Sequence, residues 1–238
     1  MRTIYDTHAH IVPAVDDGAS DFNMAIDLLK MAEQQGIKKI VCTSHSGMDS
    51  KKYIENFKTL QNKATTEEIN IKIYCGCEIY CTKSNILHII DALNKKRMLT
   101  INNTRYVLVE FSPYAKMKDI VYCVEQLHRH QYEVIIAHVE RYYDLHARMS
   151  DIKYLLELGC LFQINAYSLK KETDMRIKTF SRDLLKERYV TFVGSDVHRT
   201  NHRSYAVTDG VEYIYQHCDI EYANNICYQN ADRILNMH

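Results

Sequence analysis

Punctuation is scarce in this chain. Its 238 residues include 2 prolines and 7 glycines, and no low-complexity or Gly/Ser-rich stretch interrupts them. No linker is visible, so a single domain over residues 1–238 is expected. Net charge is absent as well. Lys+Arg and Asp+Glu both number 30, which argues against a nucleic-acid binder, because such proteins draw affinity from a basic surface. No run approaches the ~18 apolar residues of a membrane span, so an integral membrane protein is not expected. The opening MRTIYDTHAH has no apolar segment of the secretory type, so the expectation is a cytoplasmic protein. There are 8 cysteines but no C-x-x-C pair. Neither a zinc ribbon nor a thioredoxin-type centre is expected, and the thiols read as small core residues rather than a disulfide framework.

What is present is alternation. Apolar, β-branched runs occupy residues 3–10, 38–45, 71–78, 105–112, 133–141, 160–166 and 189–198. Segments of helical period lie at 21–35, 51–68, 84–95, 116–129, 151–158, 173–188, 204–217 and 221–237. In the first of these, Ala25, Leu28, Leu29 and Ala32 share a face, with Ser20 expected as N-cap and Gly36 as the C′ stop. Strands each followed by a helix predict an α/β fold with a parallel sheet. At this length a closed or nearly closed seven-stranded βα barrel fits better than two domains. A doubly wound open sheet is the alternative.

The ends of the runs carry the chemistry. In order they read HAH, SH, CE, EFS, AHVER, INA and SDVH. All but INA contain His, Asp or Glu. In a βα barrel the strand C-terminal ends form one mouth, so these groups would converge there. A single buried His at a strand end is more often a hydrogen-bonded core residue than a ligand; the repetition across strands overturns that reading. The candidate set is His8, His10, Asp16 or Asp17, His45, Glu78, Glu110, His138, Asp196 and His198. It mixes imidazole and carboxylate without thiolate, which suits Zn²⁺, Mn²⁺ or Fe. The set is too large for one four-coordinate ion and suits two or three. Multi-metal sites of this kind serve hydrolysis, often of phosphate esters, where an ion lowers the pKa of water and others hold phosphoryl oxygens.

The motifs HAH…DDG, TSH, GCEIY, VLVEFS, IAHVERY and GSDVH, in this order, resemble the polymerase-and-histidinol-phosphatase (PHP) superfamily over almost the whole chain. HIV-x-x-VDDG, EIY-x-T, IAH-x-ERY and SD-x-H resemble, more narrowly, its branch of manganese-dependent bacterial protein tyrosine phosphatases of capsule and exopolysaccharide biosynthesis. The resemblance implies a distorted seven-stranded TIM-like barrel holding three Mn²⁺, and a substrate in the phosphotyrosine-bearing tail of a bacterial tyrosine kinase. It implies that His8 and His10 hold one ion, shared with Asp196 and bridged by Glu78. Glu110 and His138 complete a second. His45, His198 and a first-loop aspartate hold the third, with Asp17 preferred over Asp16. Arg141 and Arg203 resemble phosphate-contacting arginines, a role suited to bidentate guanidinium pairing, and Asp17 stands with them as a catalytic group.

Other features compete. A histidinol-phosphate-type small-ester phosphatase would share the metals and differ at the rim, and a non-catalytic metal-binding module would keep the barrel. The Cys-x5-Arg pattern of cysteine-dependent phosphatases occurs at Cys123/Arg129 and Cys227/Arg233. Both copies lack a glycine-rich phosphate loop and sit in helical periodicity, so no thiol nucleophile is expected. The basic stretch at 93–105 reads as a solvated face, and Asp144 and His146 as loop residues. The 18 tyrosines read mostly as core and rim.

Overall fold

The computed structural model describes residues 2–146, 148–201 and 204–237. Among them run eight strands: β1 (Ile4–Ala9), β2 (Ile37–Cys42), β3 (Lys72–Cys75), β4 (Glu78–Tyr80), β5 (Tyr106–Glu110), β6 (Glu133–Ile136), β7 (Leu161–Asn165) and β8 (Phe192–Gly194). Each pairing is parallel. One sheet has the order β1-β2-β3 and the other β4-β5-β6-β7-β8. The helices are α1 (Phe22–Gln34), α2 (Ser50–Thr66), α3 (Ile86–Asn94), α4 (Met117–Arg129), α5 (Tyr143–His146), α6 (Met149–Glu157), α7 (Met175–Lys186), α8 (Thr208–His217), α9 (Ile220–Asn224) and α10 (Asn230–Leu235). Parallel strands with helical crossovers are the α/β class that the alternation predicts. None of the described helices is long and apolar enough to cross a membrane.

The strand count differs from the expected seven because the run at 71–78 is interrupted at Gly76 and Cys77, and a separate strand starts at its last residue. β3 stays with β2, whereas the Glu78 N–H turns to the carbonyls of Thr43 and Ser44, at 3.2 and 3.1 Å, and β4 continues beside β5. The sheets meet at two places. His45 bridges to Glu78, and Ala9 bridges to Val197. At the second junction Asp196 N–H donates to the His8 carbonyl at 2.7 Å and His10 N–H to the Val197 carbonyl at 2.8 Å. Both junctions lie where the candidate ligands cluster.

Asp21, not Ser20, caps α1, accepting the Met24 N–H at 2.9 Å, while the Ser20 hydroxyl donates to the Asp21 carboxylate. Gly36 follows the helix at φ 83°, as a C′ glycine should. The helix expected at 221–237 is α9 and α10 joined by a π-helical turn, Asn225–Gln229.

The inward faces of the strands are layered. Val41, Leu108, Ile135 and Phe192 form an apolar layer closed by Ile234 and Leu235 of α10. Further along the same period-2 faces come His45, Glu110, Ala137 and Asp196. β1 obeys this pattern only because it carries a bulge. Asp6 pairs with Ile40 and Ala9 with Cys42, so one extra residue is accommodated between them. Thr7 therefore lines the apolar layer, yet His8 and His10 both still reach the polar one.

Candidate metal centre

The bulge aims His8, and a missing side chain makes room for it. A Cβ on Gly194 would stand 2.7 Å from the His8 Cβ and 2.9 Å from the Gln163 Nε2. Two further candidates sit on left-handed backbone: His138 at φ 32° and Asp196 at φ 55°. Side chains other than glycine hold that conformation at a cost of order 1–3 kcal/mol, and such strain concentrates at functional sites.

The expected residues come together, with Arg203 outside the described residues. Glu78 lies at the centre. Its Oε1 is 2.9 Å from His138 Nε2 and 3.2 Å from His8 Nε2; its Oε2 is 3.0 Å from His45 Nδ1 and 3.2 Å from His10 Nε2. Asp196 Oδ1 lies 3.6 Å from His8 Nε2 and 3.7 Å from His10 Nε2. His138 Nε2 is 3.4 Å from Glu110 Oε2. Three groups have donor atoms close enough to share an ion: His8, His10 and Glu78; His10, Asp17, His45 and His198; and His45, Glu78 and Glu110. These groups overlap more than the sequence-based partition. His10 also belongs with the Asp17 group, and His45 also faces Glu110.

The aspartate pair divides its work. Asp16 Oδ2 faces His10 Nδ1 at 2.9 Å and accepts the His45 N–H at 3.0 Å, while its Oδ1 accepts the Gly18 N–H at 3.0 Å. Asp17 Oδ1 instead lies 3.5 Å from His45 Nε2 and 3.4 Å from His198 Nε2, on a side chain 60% exposed. Asp16 orients a histidine from behind; Asp17 joins the donor cluster from the mouth.

The electrostatics follow from packing opposite charges in a buried space. Burial opposes charge on His10, but hydrogen bonds to Asp16 and Glu78 carry its pKa up to about 10. Burial likewise opposes charge on His138, and Glu110 and Glu78 raise it to about 9. Against its own burial, Asp16 is held down to about 2 by His10. Glu78 is lowered well below the carboxylate range, because His8, His10, His138 and His45 outweigh its desolvation. Without cations His10, His45 and His138 hold protons more tightly than free imidazole, because they face these carboxylates. The buried Glu78 Oε2 makes no hydrogen bond of good geometry although imidazole nitrogens flank it. A nitrogen-and-oxygen donor set without thiolate fits divalent ions of the Zn²⁺, Mn²⁺ and Fe type.

Several supporting residues were not anticipated. Gln163 Oε1 accepts the His138 N–H at 2.8 Å and lies 3.2 Å from His8 Nδ1; its Nε2 donates to Asn165 Oδ1 at 2.8 Å. Asn165 Nδ2 donates in turn to Asp196 Oδ2 at 3.0 Å. Asp6 accepts from the Ser195 N–H and hydroxyl, fixing the segment before Asp196. Glu140 accepts from the Asn165 N–H and the Ser168 hydroxyl. The available signal was polar residues alternating within an apolar run, CLFQINA. Arg141 places Nη1 2.8 Å from Asp196 Oδ2.

The decoys dissolve. Cys123 is buried in α4 and Cys227 in the π-helical turn, with no loop to wrap an anion. Asp144 and His146, expected in a loop, lie in α5: Asp144 accepts from Lys116 and the Met117 N–H, and His146 Nε2 faces the Glu140 carbonyl at 2.6 Å. The basic stretch at 93–105 leads into the N-terminal end of β5, away from the donor cluster.

Fold and site together define a class: parallel α/β scaffolds with a cluster of metal-type donors at their strand ends. Within it, the family model for capsular polysaccharide synthesis proteins of the CpsB/CapC type matches residues 4–236, and the chain belongs to that family. It is 30% identical to the tyrosine-protein phosphatase CpsB of Streptococcus agalactiae serotype III, over 98% of both chains. A crystal structure from a study of YwqE from Bacillus subtilis and CpsB from Streptococcus pneumoniae, described as metal-dependent tyrosine phosphatases, superposes with a TM-score of 0.87. It covers 98% of this chain and 94% of that one at 28% identity. A lactonase from Listeria monocytogenes shares the fold alone, with a TM-score of 0.66 and 12% identity over 99% of this chain and 95% of that one.

Proposed function

We propose that this chain is a metal-dependent phosphomonoesterase that hydrolyses phosphotyrosine in protein. On this reading it is a cytoplasmic protein whose substrate is the phosphorylated tail of a bacterial tyrosine kinase, and its role is control of capsule or exopolysaccharide synthesis. The observation that carries the reading is the convergence of His8, His10, Glu78, His138 and Asp196 beside Arg141, in a chain of the CpsB/CapC family. The scaffold is read as a single domain, a distorted βα barrel whose two sheets close through the Ala9–Val197 and His45–Glu78 bridges.

The ligands would be His8, His10, Glu78 and Asp196 for one divalent ion, Glu78, Glu110 and His138 for a second, and Asp17, His45 and His198 for a third, with Mn²⁺ the favoured metal. When bound, such ions supply Lewis acidity and a nucleophile at neutral pH. The chain's own residues do the rest. Arg141 has one nitrogen committed to Asp196, and its remaining N–H groups can hold phosphate in bidentate fashion; Arg203 is assigned to the same task. Asp16 and Gln163 fix the orientation of His10 and His8. Tyrosinate leaves with a free pKa of ~10, so departure needs little proton donation.

The test separates metal from thiol chemistry. His138→Ala or Asp196→Ala should lower turnover of a phosphotyrosyl peptide by ~10²–10³-fold, the scale of losing an electrostatic stabiliser, while Cys123→Ser leaves it within a few-fold. The reverse pattern would sink the proposal.

A further inference from the structure

The end of β7 carries no imidazole or carboxylate, yet it borders the site. Two residues beyond Asn165, Tyr167 lines a cleft together with Arg141, Asn165, Asp196, Ser204 and Ala206. The cleft has a volume of about 430 Å³, within the usual range for small-molecule sites. One side of it is charged and polar, and Tyr167 supplies its aromatic surface.

Tyr167 combines exposure with a fixed backbone. The residue is 47% exposed. Its carbonyl accepts the Lys170 N–H at 3.0 Å and the Thr173 hydroxyl at 2.7 Å. The preceding Ala166 lies so close to α8 that a Cβ on Gly210 would stand 2.2 Å from the Ala166 carbonyl oxygen. The Lys170 ammonium sits 5.9 Å from the ring centroid and is itself held by Asp209 at 2.9 Å. The backbone that carries the ring is thus fixed before any ligand arrives, so little main-chain ordering entropy is lost when something packs against it.

We propose that Tyr167 is a specificity-determining residue. Its ring forms the wall against which the aryl group of an aryl phosphate monoester packs while Arg141 holds the phosphate. This inference rests on the phosphatase reading above and names the part of the substrate that the turn after β7 recognises. Phosphoserine and phosphothreonine offer no ring to this wall.

The experiment uses the metal-loaded full chain and compares wild type with Tyr167→Ala and Tyr167→Phe. Two quantities are read: kcat/KM on a phosphotyrosyl peptide, and inhibition by inorganic phosphate, which probes the metal-and-arginine end alone. Tyr167→Ala should lose roughly tenfold in kcat/KM, mostly through KM, the scale of one lost aromatic contact. Phosphate inhibition should be unchanged, and Tyr167→Phe should stay close to wild type. Unaltered kcat/KM in Tyr167→Ala overturns the inference, as does phosphate inhibition weakened by the same factor. A wild-type enzyme that hydrolyses other monoesters but not the phosphotyrosyl peptide overturns instead the reading on which it rests.

Discussion

His8 Nε2 and His10 Nε2 face one another at 3.1 Å. The other nitrogen of each ring already has an acceptor: Gln163 Oε1 for His8 and Asp16 Oδ2 for His10. When both rings are neutral, as metal binding requires, those acceptors leave the two Nε2 lone pairs facing each other. Such an arrangement is repulsive unless a cation stands between or beside them, and Glu78 and Asp196 supply the oxygens to complete its shell. Orientation of metal-binding imidazoles by an acceptor on the far nitrogen is the usual second layer of such sites.

The two adjacent aspartates should therefore behave differently. Asp17→Asn is expected to remove a ligand, and elemental analysis of the variant should show one ion fewer per chain than wild type. Asp16→Asn keeps the ligand count but weakens the support of His10, so the same stoichiometry should be reached at metal concentrations 10–100-fold higher, the usual scale for such losses. Equal stoichiometry and equal affinity in both variants would contradict the division.

Acidity should act on the metal-free and metal-loaded protein in opposite senses. His10 and His138 are raised to about 10 and about 9, from a free value of ~6.5. A raised imidazole pKa contributes stability that is fully present below ~6.5 and is lost as pH rises through the folded values. The chelated protein should accordingly lose thermal stability between about pH 7 and about pH 10. Metal binding requires deprotonated imidazole, so affinity should strengthen across that same window. Melting temperatures of the chelated protein and metal titrations at several pH values check both trends. Parallel trends would show that these histidines do not carry the exchangeable protons.

Much of this was legible in the sequence, and the exceptions have physical causes. His8, His45, Glu78, Glu110, His138 and Asp196 were readable because each ends or follows an apolar run, and a parallel sheet brings such ends together. The alternation of runs and helical segments also gave the α/β class. The preference for Asp17 over Asp16 comes from the resemblance and not from spacing, which does not encode whether a side chain turns back to His10 or out to His45. Gln163 and Asn165 carry no such signal, because amides look bland in an apolar run; their importance comes from the His8, His138 and Asp196 groups that face them. The break at Gly76 and Cys77 was hidden because the residues on either side, IKIYCGCEIY, keep strand-like composition throughout. The composition of EVIIAHVER predicts strand through Arg141, yet β6 ends at Ile136 and the chain passes through left-handed His138 into a 3₁₀ turn, Val139–Arg141. That turn places Arg141 against Asp196.

The central claim is that divalent metal, held by these strand ends, carries phosphotyrosine hydrolysis. The most direct measurement is turnover of a phosphotyrosyl peptide by protein stripped with chelator, then resupplied with Mn²⁺, Zn²⁺ or Fe²⁺ singly, with bound metal counted in the same samples. The expected result is loss of turnover on stripping and its return on resupply, most fully with Mn²⁺, as the donor groups His8/His10/Glu78, His10/Asp17/His45/His198 and His45/Glu78/Glu110 fill. Undiminished turnover by protein from which all divalent metal has been removed would contradict it.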